Sequence, residues 1–518
     1  MLDAIGIRNL RSFKETTIVN LKPITVFVGK NSSGKSSFLR TLPLLRQSVE
    51  SNTTGPILWF GRYVDFGEFS EVISNDTKDN TISFIFKYKS ALDRNATIRF
   101  KDEVKNEITL NLTVTAQKQK TTIDNLEINI NDSNIKINII NNSSSGIAQA
   151  HLNIDNLINE DLHIAKNDSF IPLLLIQNKK EDASNNSRNK IFSSFYDYYH
   201  DNLEKHFLDE ATKILKVFFH SKTDETKIKS TLARVPVTSV ERVNIILNGL
   251  FKEQKTFIKN LNKNNNEIVK KLYPYVIAWN LTSIIRSINN ELSHIFTGVK
   301  YIAPLRATAE RYYRFQDLQV NEIDHTGSNL AMLINSLKPS EQKEFSAWTR
   351  ENFGFSVFVR EVGNHYAVKL LTNNESKEYN ISDMGFGYSQ VLPIITSIWF
   401  ETVRKRTSQQ RPLIFVIEQP ELHLHPAYQA KIGELFAKVI SHAKDNSIPL
   451  KIIFETHSQS IIDALGEKIE NNNLSISKDD ISILVFNKNN DGITDVSLSY
   501  FDNDGFLNDW PIGFFSGR

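Results

Sequence analysis

The chain has 518 residues, room for about three or four domains, and its 40% hydrophobic and 23% charged content rules out wholesale disorder. Lys and Arg number 61 against 59 Asp and Glu, so no global field drives the chain onto nucleic acid or membrane, although a local basic face stays open. The absence of cysteine excludes disulfides, thiolate metal sites and a cysteine nucleophile, and fits a reducing compartment. The most apolar stretch, Val391 to Phe400, is about half of a bilayer span. The N-terminal MLDAIGIRNLRSF carries Asp3 and Arg8 where a secretory leader needs an apolar run. These features together predict a soluble, cytoplasmic protein with no membrane partner.

The first fifty residues read as strands, then a loop and a helix. ITVFV at 24–28 is a buried strand ending at Gly29, and SSFLRTLPLLRQ behind it has helical character that Pro43 should kink or end. From Thr81 to about Ile140, TISFIFKY, ATIRF, EITLNLTV, LEINI and IKINII alternate like an antiparallel sheet with one wet face. Between Ile191 and about Thr297 the period is helical, in FYDYYHDNLEKHFLDEATKILKVFF and YVIAWNLTSIIRSINNELSHIF. NLNKNNNE at 260–267 reads as a loop tip, and NNSSSG at 141–146 and EDASNNSRNK at 181–190 as mobile loops.

From Ile381 onward α/β character returns. A helix from about Gly387 to Val403 leads to the strand LIFVI at 413–417. The helix after Pro426 places Ile432, Leu435, Phe436, Val439 and Ile440 on one face. IIF at 452–454 and SILVF at 482–486 read as further buried strands. The alternation predicts a parallel sheet covered on both faces, with ligands at the carboxyl ends of its strands.

Gly29-Lys30-Asn31-Ser32-Ser33-Gly34-Lys35-Ser36 matches the phosphate-loop pattern G-x-x-x-x-G-K-[ST], between a predicted strand and a predicted helix. Its glycines let backbone amides turn around phosphate oxygens, and the helix N-terminus adds positive potential. Lys35 would reach the β- and γ-phosphates, and Ser36 would ligate Mg²⁺. Glu418 closes the strand LIFVI, where a Mg²⁺-organising carboxylate is expected once a phosphate loop is present. Ser382 to Gln390, with Gly385, Gly387 and Ser389, puts small polar groups at a helix start, a second anion-receptive site. His423 and His425 lack a third close ligand for a metal. His457 in FETHSQS follows a strand and reads as a γ-phosphate sensor.

In this order the segments resemble the ABC-class ATPases, the group of SMC, RecF and Rad50-type proteins. IRNLRSFKETTIVNLKPITVFVGKNSSGKSS, GFGYSQVLPII, IEQPELHLHP and FETHS are most similar to ATPases of the overcoming-lysogenization-defect superfamily. Within it they look most like stand-alone ATPase subunits such as that of Septu-type phage-defence systems. YVDFGEFSEVI, YIAPLRATAERYY and WPIGFF are also typical of that group. The resemblance covers about 1–90 and 300–518, and the middle only by position. It implies an α/β fold: an ABC-type P-loop ATPase with a mixed or parallel central sheet, an antiparallel β subdomain and a large helical insert. The implied division is 1–90 for the first part of the ATPase head, 91–150 for the β subdomain, 151–300 for the insert and 301–518 for the rest of the head.

The resemblance further implies ATP and Mg²⁺ as cofactors and a homodimer or higher oligomer. In such a dimer Gly29 to Ser37 of one copy, with Asn31, Ser32, Ser33, Gly34, Lys35 and Ser36, faces Gly385, Gly387, Ser389 and Gln390 of the other. Glu418 would hold Mg²⁺ through water, Glu421 to His425 would lie at the seam, and His457 would contact the γ-phosphate.

One position departs from the pattern: Gln419 stands where the general-base glutamate is expected. Glutamine can orient water but cannot take its proton, and such assistance is worth about 10²–10⁴-fold. Either Glu421 substitutes, or hydrolysis is slow and ATP serves as glue and switch; slow turnover is the preferred reading. Nuclease members of the superfamily carry a metal-binding Toprim domain after the ATPase. Too few residues follow His457 for one, and Asp502-Asn503-Asp504 reads as a turn. The Septu likeness instead implies a separate HNH-type nuclease effector, in some pairs associated with a retron reverse transcriptase and its DNA–RNA product. The alternative is a DNA-repair or chromosome-maintenance ATPase of the RecF or Rad50 kind. The insert's lack of a long heptad run, and the lack of any basic stretch beyond Arg404-Lys405-Arg406, speak against it. Direct nucleic-acid contact stays open. Gln47 is a weak Q-loop candidate, and Arg306 and Arg311 are candidates for insert or partner contacts that read preferentially as ordinary surface arginines.

Overall fold

The computed structural model describes residues 1–510 except 16, 52, 54, 76, 78, 93–104, 118–119, 141–148, 165–169, 176–192, 315–319, 374 and 405–410. The ATIRF strand, the loops at 141–146 and 181–190, Lys405-Arg406 and most of WPIGFF lie outside the described residues. Among the described residues no helix is long and apolar enough to cross a membrane.

Two compact units share the chain. The first comprises Met1–Leu10, Ser48–Leu58 and Asp76–Ser293; the second comprises Arg11–Gln47, Trp59–Asn75 and His294–Arg518.

The first unit carries an antiparallel sheet in the order Leu174–Leu175, Ile158–Ile164, Gln149–Ile154, Ser133–Ile140, Lys120–Ile130, Asn106–Gln117, Thr81–Ser90 and Leu2–Arg8. Cross-strand partners stack apolar side chains on one face. Phe84 opposes Leu112, Phe86 opposes Leu110, and Leu110 opposes Ile128, all fully buried. The division at residues 90 and 150 needs correction. The N-terminal strand and Thr81–Ser90, which pair antiparallel, belong to the first unit while Arg11–Gln47 and Trp59–Asn75 belong to the second, so residues 1–90 do not form one body. The sheet also runs on past residue 150, because Ala150, Leu152, Ile154, Ile158 and Leu162 keep the period-two burial of the earlier strands.

Helices Ser193–Lys216, Glu225–Leu232, Val240–Leu250, Lys255–Lys263, Asn265–Trp279 and Leu281–Thr297 follow. The expected loop tip at 260–267 is mostly helical, with only Asn264 between two helices. The apolar positions Phe257, Leu261, Ile268 and Val269 are buried on either side of it, and that burial outweighs the weak helix propensity of asparagine. The single long helix expected through Trp279 breaks at Asn280, whose Nδ2 donates to the Val276 carbonyl at 2.8 Å.

The second unit is built on a mixed sheet in the order Val299–Ile302, Leu413–Glu418, Leu450–Glu455, Ile24–Gly29, Ile481–Lys488, Thr494–Phe501 and Leu507–Asn508. The first five run parallel, Thr494–Phe501 pairs antiparallel with Ile481–Lys488, and Leu507–Asn508 pairs antiparallel with Thr494–Phe501. Every residue of Ile24–Gly29 and of Leu450–Glu455 is buried, as a sheet covered on both faces requires. Phe386–Trp399 and Pro426–Asp445 match the predicted helices, and Ile432, Leu435, Phe436, Val439 and Ile440 are all buried. The helix after the phosphate loop breaks at Arg40, into Lys35–Leu39 and Thr41–Glu50. Pro43 has no N–H for the Leu39 carbonyl, and its ring would crowd that turn.

Candidate functional site

Within the second unit, the loop 29–36 joins the central strand to the helix Lys35–Leu39. Gly29 and Gly34 have φ of 155° and 99°. A Cβ on Gly29 would lie 2.4 Å from the Phe486 carbonyl oxygen, and one on Gly34 would lie 2.9 Å from the Phe13 ring. Both positions therefore need glycine. Behind the loop Phe13, Phe27, Phe38 and Phe486 form a buried cluster, with centroids 4.9 Å apart for Phe27 and Phe486 and 5.6 Å for Phe13 and Phe38. Such a cluster gives the loop a rigid floor. Thr494 Oγ1 donates to the Ser33 carbonyl at 2.9 Å.

The loop borders a cleft of about 290 Å³ lined by Arg11, Ser12, Ser32 to Ser37 and Lys488. Asn31 and Ser32 are exposed at its tip, Ser32 with a left-handed φ of 62°. Ser33 Oγ is enclosed and makes no hydrogen bond. Lys35 is 5% exposed, and its Nζ donates to the carbonyls of Gly29 at 3.0 Å and Lys30 at 2.9 Å. Burial holds its pKa below the ordinary lysine value, against the opposing charges of Glu455 and Glu421. Ser37 Oγ accepts from Arg11 at 3.3 Å.

Two carboxylates end neighbouring strands, Glu418 beside Glu455 in the parallel register. Both are 1% exposed, but their partners differ. Glu418 accepts both guanidinium arms of Arg40 at 2.7 Å and the Tyr301 hydroxyl at 2.6 Å. Glu455 accepts the Ser36 hydroxyl at 2.7 and 3.0 Å. Burial, and then the Glu418 charge, push the Glu455 carboxyl up to about 7. The Glu418 hydrogen bond raises the Arg40 pKa, while burial ahead of Glu418 raises that of Tyr301.

Arg306 is not the surface residue expected. It is 5% exposed and donates to the carbonyls of Glu418 at 2.8 Å and Gln419 at 3.2 Å, and burial pulls its pKa down to about 10. It braces the turn that Gln419 makes with a left-handed φ of 42°. Arg311 is exposed and pairs with Asp383 at 2.9 Å.

Glu421 Oε1 accepts the backbone N–H of His457 at 2.7 Å, which brings those two predicted residues together. Burial raises the Glu421 pKa; burial, then the Lys35 charge, lowers that of His457. His425 caps the helix Pro426–Asp445, its Nδ1 accepting from Ala427 N–H at 3.3 Å. His423 packs edge-on against Phe386 at 4.8 Å. Among the described residues neither histidine belongs to a three-ligand metal grouping.

Gly385 precedes the helix Phe386–Trp399 with a φ of 85°, and Gly387 lies in its first turn, close to the His423 carbonyl. Ser389 and Gln390 are buried, the Ser389 hydroxyl donating to Phe386 O at 2.6 Å. Ser382, Asp383, Gly385 and Phe386 are the exposed residues of this segment. Gln47 is 2% exposed and binds the backbone of Tyr63 and Val64 at 3.1 Å, an internal brace rather than a surface group. Asp502 closes its own turn onto the N–H groups of Asp504 and Phe506.

Sequence reasoning missed Glu455, Arg40 and Tyr301. Glu455 had a signal: LKIIFE ends in an acid just as LIFVIE does. The donor set fits Mg²⁺ with a phosphate, since a hydroxyl and two carboxylates are hard oxygen ligands. The amides and the cations Lys35, Arg11 and Lys488 suit an anion. Ser36 and the strand-end acids beside it are the groups that would hold Mg²⁺, directly or through water, and the ion when bound would neutralise phosphate charge.

Two solved structures are similar along almost the whole chain. One is the SMC head domain from Thermotoga maritima, with 8% identity, 96% of this chain and 98% of that chain covered, and a TM-score of 0.35. The other is an SMC head bound to the C-terminal winged-helix domain of ScpA, with 9% identity, 96% and 97% covered, and a TM-score of 0.37. No curated protein sequence matches. The AAA ATPase domain family (AAA_15) matches residues 1–462, and this chain belongs to that family.

Proposed function

We propose that this chain is a regulatory ATPase that holds ATP with Mg²⁺ between two head-to-tail copies and turns it over slowly. In this reading it restrains a separate HNH-type nuclease in phage defence. The observation that carries the nucleotide part is the loop 29–36, with Lys35 buried behind it and Ser36 beside a strand-end carboxylate. Lys35 and the loop amides would grip the phosphates, and His457 would approach the terminal one. The exposed Gly385 and Phe386 would meet the nucleotide of the other copy. Gln419 supports slow turnover, because its amide orients water without accepting a proton. The nuclease partner rests on the motif likeness of the two ends of the chain, and a neighbouring nuclease gene whose product co-purifies would support it.

The test pairs sedimentation with single-turnover hydrolysis. ATP with Mg²⁺ is expected to double the mass, and Gln419→Glu to accelerate hydrolysis by about 10²-fold. A chain that stays monomeric with ATP, or fast hydrolysis unaffected by Gln419→Ala, would overturn the reading.

A further inference from the structure

We propose that Glu455 is the metal-facing carboxylate of this site, acting with Ser36, while Glu418 stands one step back and positions the site through Arg40 and Tyr301. The inference rests on the proposed nucleotide reading and assigns the metal to a residue outside the acid-after-strand pattern at 418.

Geometry separates the two acids. The strand Leu450–Glu455 lies between Leu413–Glu418 and the phosphate-loop strand, so Glu455 is one strand spacing, about 4.8 Å, nearer the loop. Its register partner on the other side is Phe27, two residues before Gly29. The Ser36 hydroxyl reaches both of its carboxylate oxygens.

Partnership separates them too. Both Glu418 oxygens are taken, Oε1 by Arg40 Nε and the Tyr301 hydroxyl and Oε2 by Arg40 Nη2. A bidentate guanidinium pair with a further hydroxyl bond is a strongly held arrangement, and it neutralises that carboxylate within the protein. Among the described residues Glu455 has no Lys or Arg ion-pair partner, while Lys35 spends its ammonium on two carbonyls. A buried carboxylate facing a hydroxyl, with no cation bonded to it, is where a dication gains most. Mg²⁺ in phosphate sites takes one or two carboxylates and keeps several waters, so one direct acid is enough.

The test reads metal affinity rather than turnover. Free Mn²⁺ is followed by electron paramagnetic resonance while Mn²⁺ is titrated into protein saturated with ATP, for wild type, Glu455→Gln, Glu455→Asp and Glu418→Gln. Circular dichroism and ATP affinity in EDTA confirm that each variant is folded. Glu455→Gln is expected to weaken Mn²⁺ binding at least about 10-fold, Glu455→Asp less, and Glu418→Gln least. A loss in Glu418→Gln equal to or larger than that in Glu455→Gln overturns the assignment, as does unchanged Mn²⁺ affinity in Glu455→Gln. A wild type that binds no ATP in EDTA or with metal defeats the nucleotide reading itself and this inference with it.

Discussion

In the strand Leu413–Glu418 all but the first residue is buried, whereas along Asn106–Gln117 buried positions alternate with partly exposed ones. The parallel strands Ile24–Gly29, Leu413–Glu418 and Leu450–Glu455 have no wet face, and their acidic groups stand where the strands stop. Gly29, Glu418 and Glu455 accordingly collect at one edge. The antiparallel sheet of the first unit spreads its polar groups along every strand, as in the contacts of Asn134 with Glu127 and Asn129 at 2.7 and 2.6 Å. Chemistry is concentrated in one sheet and diluted in the other. The first unit is thereby free to be judged by stability alone, and the second by what its strand ends bind.

The sharpest separation comes from a core truncation in the first unit. Phe84→Ala, at a fully buried cross-strand position, should cost about 3–5 kcal/mol in urea unfolding while leaving ATP affinity at low temperature unchanged. A parallel loss of ATP affinity would break the comparison. Next, Lys35→Ala should reverse the pattern. Losing a charged contact to phosphate lowers ATP affinity roughly 10²-fold, about 3 kcal/mol, with the protein still folded by circular dichroism. Wild-type ATP affinity by calorimetry would displace Lys35 from the phosphates.

The smallest effect concerns Glu421. Burial raises its pKa above the ordinary 4.5, so its contribution to stability is complete below 4.5 and is lost as pH rises through the folded value. Glu421→Gln mimics the protonated form and can still accept from His457 N–H. It should match wild type near pH 4.5 and become the more stable of the two as pH rises through the folded value of Glu421. A melting difference independent of pH would rule out burial as the cause.

Much of this was readable in the residues. LIFVI, the strands around IIF and SILVF, and the phosphate loop announce themselves because long apolar runs and glycine spacing are local properties. Sheet neighbours are not local, and that is why Glu455 escaped notice: nothing in FETHS says that its strand lies between the phosphate-loop strand and the one ending at Glu418. Arg306 was misread for the same reason, since its burial depends on a turn more than a hundred positions away in the chain. In the first unit, HLNI and INEDLHI carry too many polar residues to stand out as strands until the preceding sheet supplies their register. Asn260 to Glu267 looked like a loop because asparagine favours turns, yet the apolar face on either side decided otherwise.

The strand Ile24–Gly29 finds its sheet partners only at Leu450–Glu455 and Ile481–Lys488. During synthesis this strand must therefore wait for more than 400 further residues before its first sheet neighbour is made, a delay on the order of a minute at ordinary elongation rates. A chain stopped before Leu450 lacks both neighbours of that strand, and with Phe486 part of the floor under the loop 29–36.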